Sequence, residues 1–377
     1  MSKPPNKRIL IVNANWLGDV LFSTPALRAI RGKYPASHIA CLAPPRVSEV
    51  LKRNPHLDEL ILYDDRVSFL SWGECARVVK VVRQQHFDTA IFFHRSKTKA
   101  ILLKMAGVPE RIGYSAPGRD RFLTRAIDPP ALPAHKIDLF LNLIEQAGIP
   151  SDGRHMEFFP DPSAELSLQK LLREQGFNDS EPYAVVHAGG NWELKRWPAE
   201  NFAKSIRLFS REFGCRTVLC GTPAEESLCC EIQSLCCAGE LVSLCGKTSL
   251  DELAVLLKNA EFLLSNDSGP IHLAATQKTK IVGLFGPTSP GLTGPSSLAP
   301  VRILWQDVGC EVPCYYRACN YRVCMDWLSP EVVLEKAREL MKADFAAGDA
   351  EGEASAARKN EYGGVPQAAG PAAGRAQ

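Results

Sequence analysis

Glu261-Phe262-Leu263-Leu264-Ser265-Asn266-Asp267-Ser268-Gly269-Pro270-Ile271-His272-Leu273 changes character halfway along. A short apolar run closes on small polar residues, as a buried strand does, and Pro270 stands where an early helical position tolerates a missing N–H. Asp267 or Ser268 supplies the N-cap. Strand, tight turn and helix therefore follow one another directly, which is the unit of a parallel sheet covered by helices.

The same alternation extends in both directions. Strands are expected at 183–188, 216–220, 241–245, 261–266 and 280–285, separated by helices near 199–213, 224–236, 249–259 and 269–277. Upstream, a helix near 164–175 follows a joint rich in Pro and Asp, Phe159-Pro160-Asp161-Pro162. Before the joint, strands at 8–14, 38–44, 59–63 and 87–93 alternate with helical patterns at 19–33, 75–86, 96–106 and 135–147. The expected class is α/β with two Rossmann-like domains, 1–158 and 159–345, each large enough for its own core. Their facing strand ends leave a cleft where such sheets bind ligands. Residues 346–377 hold Ala, Gly and charge with hardly a large apolar group, so a disordered tail is expected.

The composition sets outer limits. Of 377 residues, 45% are hydrophobic and 23% charged, which is ordinary for a globular chain and unlike a fibrous or membrane-spanning one. A net charge of +2 argues against wholesale nucleic-acid binding while leaving room for local basic patches. Lys3, Lys7 and Arg8 precede only a short apolar run, so no secretory signal is expected, and the 13 cysteines read as reduced thiols of a cytoplasmic protein.

Three segments carry candidate chemistry. At the start of the helix at 269, free amides of Ser268 and Gly269 suit a diphosphate, with His272 one turn on; an ordinary capped helix with a core histidine is the alternative. The loop His187-Ala188-Gly189-Gly190-Asn191-Trp192-Glu193-Leu194-Lys195-Arg196-Trp197-Pro198 follows a buried strand. Its glycines allow close backbone approach and its two cations suit a departing phosphate, unless they are only surface charges. Asn15-Trp16-Leu17-Gly18-Asp19 ends the first strand, and its carboxylate either accepts a proton at the cleft mouth or caps a helix.

Together these segments resemble the ADP-heptose:lipopolysaccharide heptosyltransferases of glycosyltransferase family 9. The resemblance runs over roughly 7–345 and is most specific in NWLGDVLFSTPALRAIR at 15–31, KRWP at 195–198, NDSGPIHLAA at 266–275 and LFGPTSPGLTGP at 284–295. The run HRSKTKAILLKMAGVPERIGYS at 94–115 looks most like members that add the second heptose. The resemblance implies a GT-B fold, an inverting transfer from ADP-heptose to the lipid A–core oligosaccharide, and no cofactor or required metal. It implies Asp19 as general base and Lys195 at the departing ADP. Asp267, Ser268, Gly269 and His272 would line the donor site with Gly190, Thr248 would contact the nucleotide, and Glu225 would bind the ribose hydroxyls. It further implies a monomer working at the cytoplasmic face of the inner membrane.

Basic residues of the first half, Arg95, Lys97, Lys99, Arg111, Arg119 and Arg121, either receive acceptor phosphates or form a solvated face. Cys310, Cys314, Cys319 and Cys324, spaced C-x3-C-x4-C-x4-C, allow a zinc or iron–sulfur site or a structural loop. The pairs Cys229-Cys230 and Cys236-Cys237 read as small apolar packing groups on a helix. Two rival functions share this scaffold: a sugar-nucleotide epimerase using Asp19 and His272 as acid and base, and a non-catalytic nucleotide-sugar sensor.

Overall fold

A computed structural model describes residues 6–64, 72–178, 181–314, 316 and 318–343. The tail expected at 346–377 lies outside the described residues. The first half builds one parallel sheet from β1 (Arg8–Val12), β2 (His38–Ala43), β3 (Glu59–Leu62), β4 (Thr89–Phe92), β5 (Glu110–Tyr114) and β6 (Arg125–Ile127), in the order β3-β2-β1-β4-β5-β6. The second half repeats it with β7 (Tyr183–His187), β8 (Arg216–Cys220), β9 (Leu241–Ser243), β10 (Leu263–Asn266), β11 (Ile281–Leu284) and β12 (Val301–Leu304), in the order β9-β8-β7-β10-β11-β12. In each sheet the order reverses beside the first strand of the half, and that switch point opens a crevice at the carboxyl ends of the strands.

β5, β6 and β12 are not marked by hydrophobic runs. They sit toward sheet edges and bury only part of their length, so their sequences, ERIGY, RAI and VRIL, carry charge. The helix Pro330–Lys342 also adds to the expected elements. Its signals are plain: Ser329 Oγ accepts from Val332 N, Pro330 opens the helix, and Val333, Leu334, Ala337 and Leu340 form a buried stripe. It packs against Ala199–Phe213, whose own stripe of Phe202, Ala203, Ile206 and Phe209 covers the second sheet.

The cores of the halves are not separate. Outer-face clusters stand alone, one around Val12, Val78 and Phe92, the other around Val186, Phe202 and Leu284. The inner faces share one continuous cluster, running from Ile11 and Leu21 through Ile144 to Leu256, Ile271 and Leu263. The joining contact is helix Leu17–Lys33 against helix Gly269–Thr276. It is close: a Cβ on Gly18 would stand 3.0 Å from His272 Cδ2, and one on Gly269 would stand 2.9 Å from Leu17 Cδ2. Arg53 adds a polar tie from the first half to Asp251 (2.9 Å) and Asp161 of the second. Among the described residues no helix is long and apolar enough to cross a membrane.

Candidate active site

A cleft of about 860 Å³ opens between the two sheets, lined by the residues that follow β1, β7, β8 and β10. Asp19, Lys195, Gly190, Glu225, Thr248, Asp267, Ser268, Gly269 and His272 all reach its wall. They are spread over 254 positions from Asp19 to His272, and the doubled crevice brings them together.

On the first-half wall, Asp19 lies in the first turn of helix Leu17–Lys33, whose N-cap is Trp16. Asp19 is therefore not the cap; its Oδ1 accepts from Lys136 Nζ at 2.8 Å. Lys136 begins a helix, Lys136–Gln146, set in place by His135, whose Nδ1 accepts from Ile137 N and whose Nε2 faces Gly294 O across the cleft at 2.9 Å. An acceptor carbonyl at Nε2 and a donor amide at Nδ1 fit only the neutral Nε2–H ring, and burial pulls His135 below its ordinary pKa.

On the opposite wall, Asp267 is 5% exposed, and its Oδ2 accepts from both Lys195 Nζ and Thr288 Oγ1 at 2.7 Å. The helix N-cap is Ser268, whose hydroxyl meets Asn266 O and His187 Nδ1 (3.0 Å) rather than a helix amide. Asp267 thus fixes Lys195, and the amides at the helix start remain for a ligand. An unpaired acid here would repel a diphosphate; the bound cation removes that objection.

Glu225 closes the other end. Its Oε1 accepts from Gly190 N at 2.8 Å, and its Oε2 accepts from Thr222 N and Oγ1 at 2.8 and 2.9 Å. Burial alone would raise its pKa, but His187 beside it and the Thr222 donors bring it down to about 2. The contact explains the first glycine of the loop: a Cβ on Gly189 would fall 1.8 Å from Glu225 Oε1. Arg196 pins the second by donating from Nε and Nη2 to Gly190 O. His187, between Glu225 (3.6 Å) and Ser268, bridges the two ends of the wall. The sequence signal for it was a polar residue closing the fully buried strand YAVVH.

His272 does not present a charged ring. It is 4% exposed, packs edge-on against Phe22 at 4.4 Å, and burial lowers its pKa to about 4. Its Nδ1 has no hydrogen-bond partner. A neutral histidine fits a role in packing the two halves together at the cleft wall. Since the folded pKa lies below the unfolded value near 6.5, the unfolded chain binds the extra proton first. Stability should therefore fall as pH drops from about 6.5 to about 4, by roughly 3 kcal/mol in all. Urea unfolding of wild type and His272→Gln across that range tests this; parallel curves would remove His272 as the source.

Arg119, expected either to receive acceptor phosphates or to lie on a solvated face, does neither. It is 1% exposed, donates to Tyr114 O (2.7 Å) and His94 O (3.2 Å), and lies over the Phe92 ring. Burial lowers its pKa to about 10, so it remains a buried structural cation. Arg111 likewise spends Nε on Phe122 O. Arg95, Lys97 and Arg121 are exposed, with Arg95 over Tyr114 and Arg121 over Phe122, and none of the three lines the cleft. Lys99 is buried, its Nζ donating to Asn15 Oδ1 at 3.0 Å beside the cleft mouth.

Cys310 and Cys319 are exposed and Cys314 and Cys324 partly so. Among the described residues no three His, Cys, Asp or Glu side chains group closely enough to hold a metal ion. Of the paired cysteines only Cys229 packs fully: Cys230 is exposed, and Cys236 and Cys237 follow the end of the helix Glu226–Ser234.

Residues 75–322 match the model of glycosyltransferase family 9 (heptosyltransferase). Lipooligosaccharide heptosyltransferase 2 of Haemophilus influenzae is 28% identical over 350 residues, 88% of this chain and 99% of that one. Lipopolysaccharide heptosyltransferase 2 of Escherichia coli K12 is 27% identical over 303 residues, 77% of this chain and 86% of that one. Among solved structures, a family 9 glycosyl transferase from Veillonella parvula superposes with a TM-score of 0.78 at 25% identity, covering 90% and 98% of the two chains. The E. coli ADP-heptose LPS heptosyltransferase II gives 0.74 at 23% identity, covering 89% and 98%.

Proposed function

Since the chain belongs to glycosyltransferase family 9 and has the GT-B fold of a glycosyltransferase, we propose that it transfers heptose from ADP-heptose to the inner core of lipopolysaccharide, a reading supported by relatives named lipopolysaccharide and lipooligosaccharide heptosyltransferase 2 and by its likeness to the E. coli ADP-heptose LPS heptosyltransferase II. The observation that carries this reading is the pairing of two poised groups across one cleft: the Asp19 carboxylate on one wall and Lys195, held by Asp267 at a helix start, on the other.

In this reading the donor lies on the second half, 159–345, and the acceptor on the first, 1–158. The ribose meets Glu225, the nucleotide meets Thr248, and the diphosphate rests near Gly190 and on the amides of Ser268 and Gly269. Asp19 takes the proton of the acceptor hydroxyl, whose oxygen bonds the anomeric carbon as the bond to the β-phosphate breaks. One displacement inverts that carbon. Charge gathers on the departing ADP, and Lys195 with the helix N-terminus meets it, so no divalent cation is needed. Arg95 and Lys97, with buried Lys99 behind them, give the first half a positive edge for acceptor phosphates. The protein acts as a monomer in the cytoplasm, at the inner face of the membrane that carries the acceptor.

Purified protein with a panel of nucleotide sugars and a core acceptor tests the reading: transfer is expected with ADP-heptose and only when acceptor is present. Altered sugar nucleotide released without acceptor marks an epimerase, and binding without turnover marks a sensor; either overturns the proposal. The donor placement has its own measure. Glu225→Ala should weaken ADP by about 1.5–3 kcal/mol in calorimetry, because hydrogen bonds to a charged acceptor are lost. Equal affinity would put the ribose elsewhere.

A further inference from the structure

Helix Leu17–Lys33 lacks a side-chain cap, as Ala199–Phe213 and Gly269–Thr276 do, but of these three it alone puts an aromatic side chain at the N-cap. Ser96, Ser249 and Ser329 each cap a helix with a hydroxyl that accepts from a backbone amide. At the cleft mouth the position is held by Trp16, extended at φ −118° and ψ 147°, with no side-chain cap bond. Tryptophan is a poor choice there, since N-cap preference follows a short side chain that accepts from the first turn. A residue that costs its helix a cap and gains no burial points to use by something outside the chain.

Trp16 is 60% exposed, whereas Phe22, the other aromatic residue on the first-half wall of the cleft, is 2% exposed. The indole is nonetheless held: Arg46 lies over it at 5.4 Å from the ring centroid, and Arg46 Nε donates to Asn15 O at 2.9 Å. Trp16 and Asp19 stand three positions apart at the helix start, so both side chains fall on one side of the first turn. Glu225, Ser268 and Lys195 are on the facing wall.

We propose that Trp16 is the platform for the acceptor sugar: its indole stacks on the C–H face of the ring whose hydroxyl Asp19 deprotonates. A sugar ring has an apolar face and a polar rim, which matches a large flat side chain that contributes contact area at little entropic cost. Arg46 beneath the indole favours an acceptor that carries anionic groups. This placement rests on the transferase reading above and adds to it the residue that orients the acceptor.

The full-length chain with Trp16→Ser and Trp16→Phe tests it, read by thermal melting, ADP affinity, and acceptor KM and kcat with purified core glycolipid. Serine restores a capping hydroxyl, so melting should be unchanged or higher, ADP binding should match wild type, and acceptor KM should rise about tenfold or more. Phenylalanine should recover most of that loss. An unchanged acceptor KM in Trp16→Ser, or a loss of ADP affinity in its place, overturns the platform while leaving the transferase intact. Wild-type protein that transfers no sugar to the glycolipid overturns both.

Discussion

Replacing Asp19 by asparagine should lower turnover by about 10²- to 10⁴-fold while ADP affinity stays close to that of wild type. Asparagine keeps the shape of the side chain and still accepts from Lys136, 2.8 Å away, but it takes no proton at neutral pH. Stability should change little, because Lys136 is 41% exposed and water takes over its solvation when the pair weakens. The proposed donor contacts, Glu225, Ser268 and Gly269, lie on the other wall, so the loss should fall on kcat rather than on donor KM. Steady-state kinetics with ADP calorimetry separates the possibilities. Normal turnover would leave Asp19 as an acid that merely complements a helix N-terminus.

Lys195→Ala should lower kcat by about 10²- to 10³-fold, more than it raises donor KM, since a cation at the β-phosphate gains most when charge develops in the transition state. The structure adds a second consequence. Asp267 is 5% exposed and would keep only the Thr288 hydroxyl as partner, and breaking a buried pair on one side costs about 3–5 kcal/mol. The single variant should therefore melt lower as well as turn over slowly. Lys195→Ala with Asp267→Asn should recover stability and not turnover, because the buried charge is gone while the leaving group still lacks its cation. Turnover restored in the double variant would mean that Lys195 serves Asp267 alone.

Much of this was legible in the chain. Buried parallel strands are short apolar runs, and each ends in the small or polar residues that turn it into a helix, so β7, β8, β10 and β11 and the helices between them stand out by period alone. β5, β6 and β12 do not, since toward a sheet edge burial is partial and charge is tolerated. The segments at 15–31, 195–198 and 266–275 singled out Asp19, Lys195 and the helix start as candidates, each with a structural alternative beside it, and only their joint resemblance to the heptosyltransferases favoured chemistry.

Partnership was not legible, because a sequence lists charges without their distances. The tertiary structure decided that Asp267 binds Lys195 rather than capping its helix, that Glu225 reaches Gly190 and His187, and that His272 is buried and neutral. Arg95 and Arg119 look alike as letters, yet one faces solvent and the other is enclosed by carbonyls, since exposure depends on which strand end folds over each. The shared inner core has the same origin. A cluster joining Leu21 to Ile271 depends on two helices more than 200 residues apart meeting at Gly18 and Gly269, and only the packed chain brings them together.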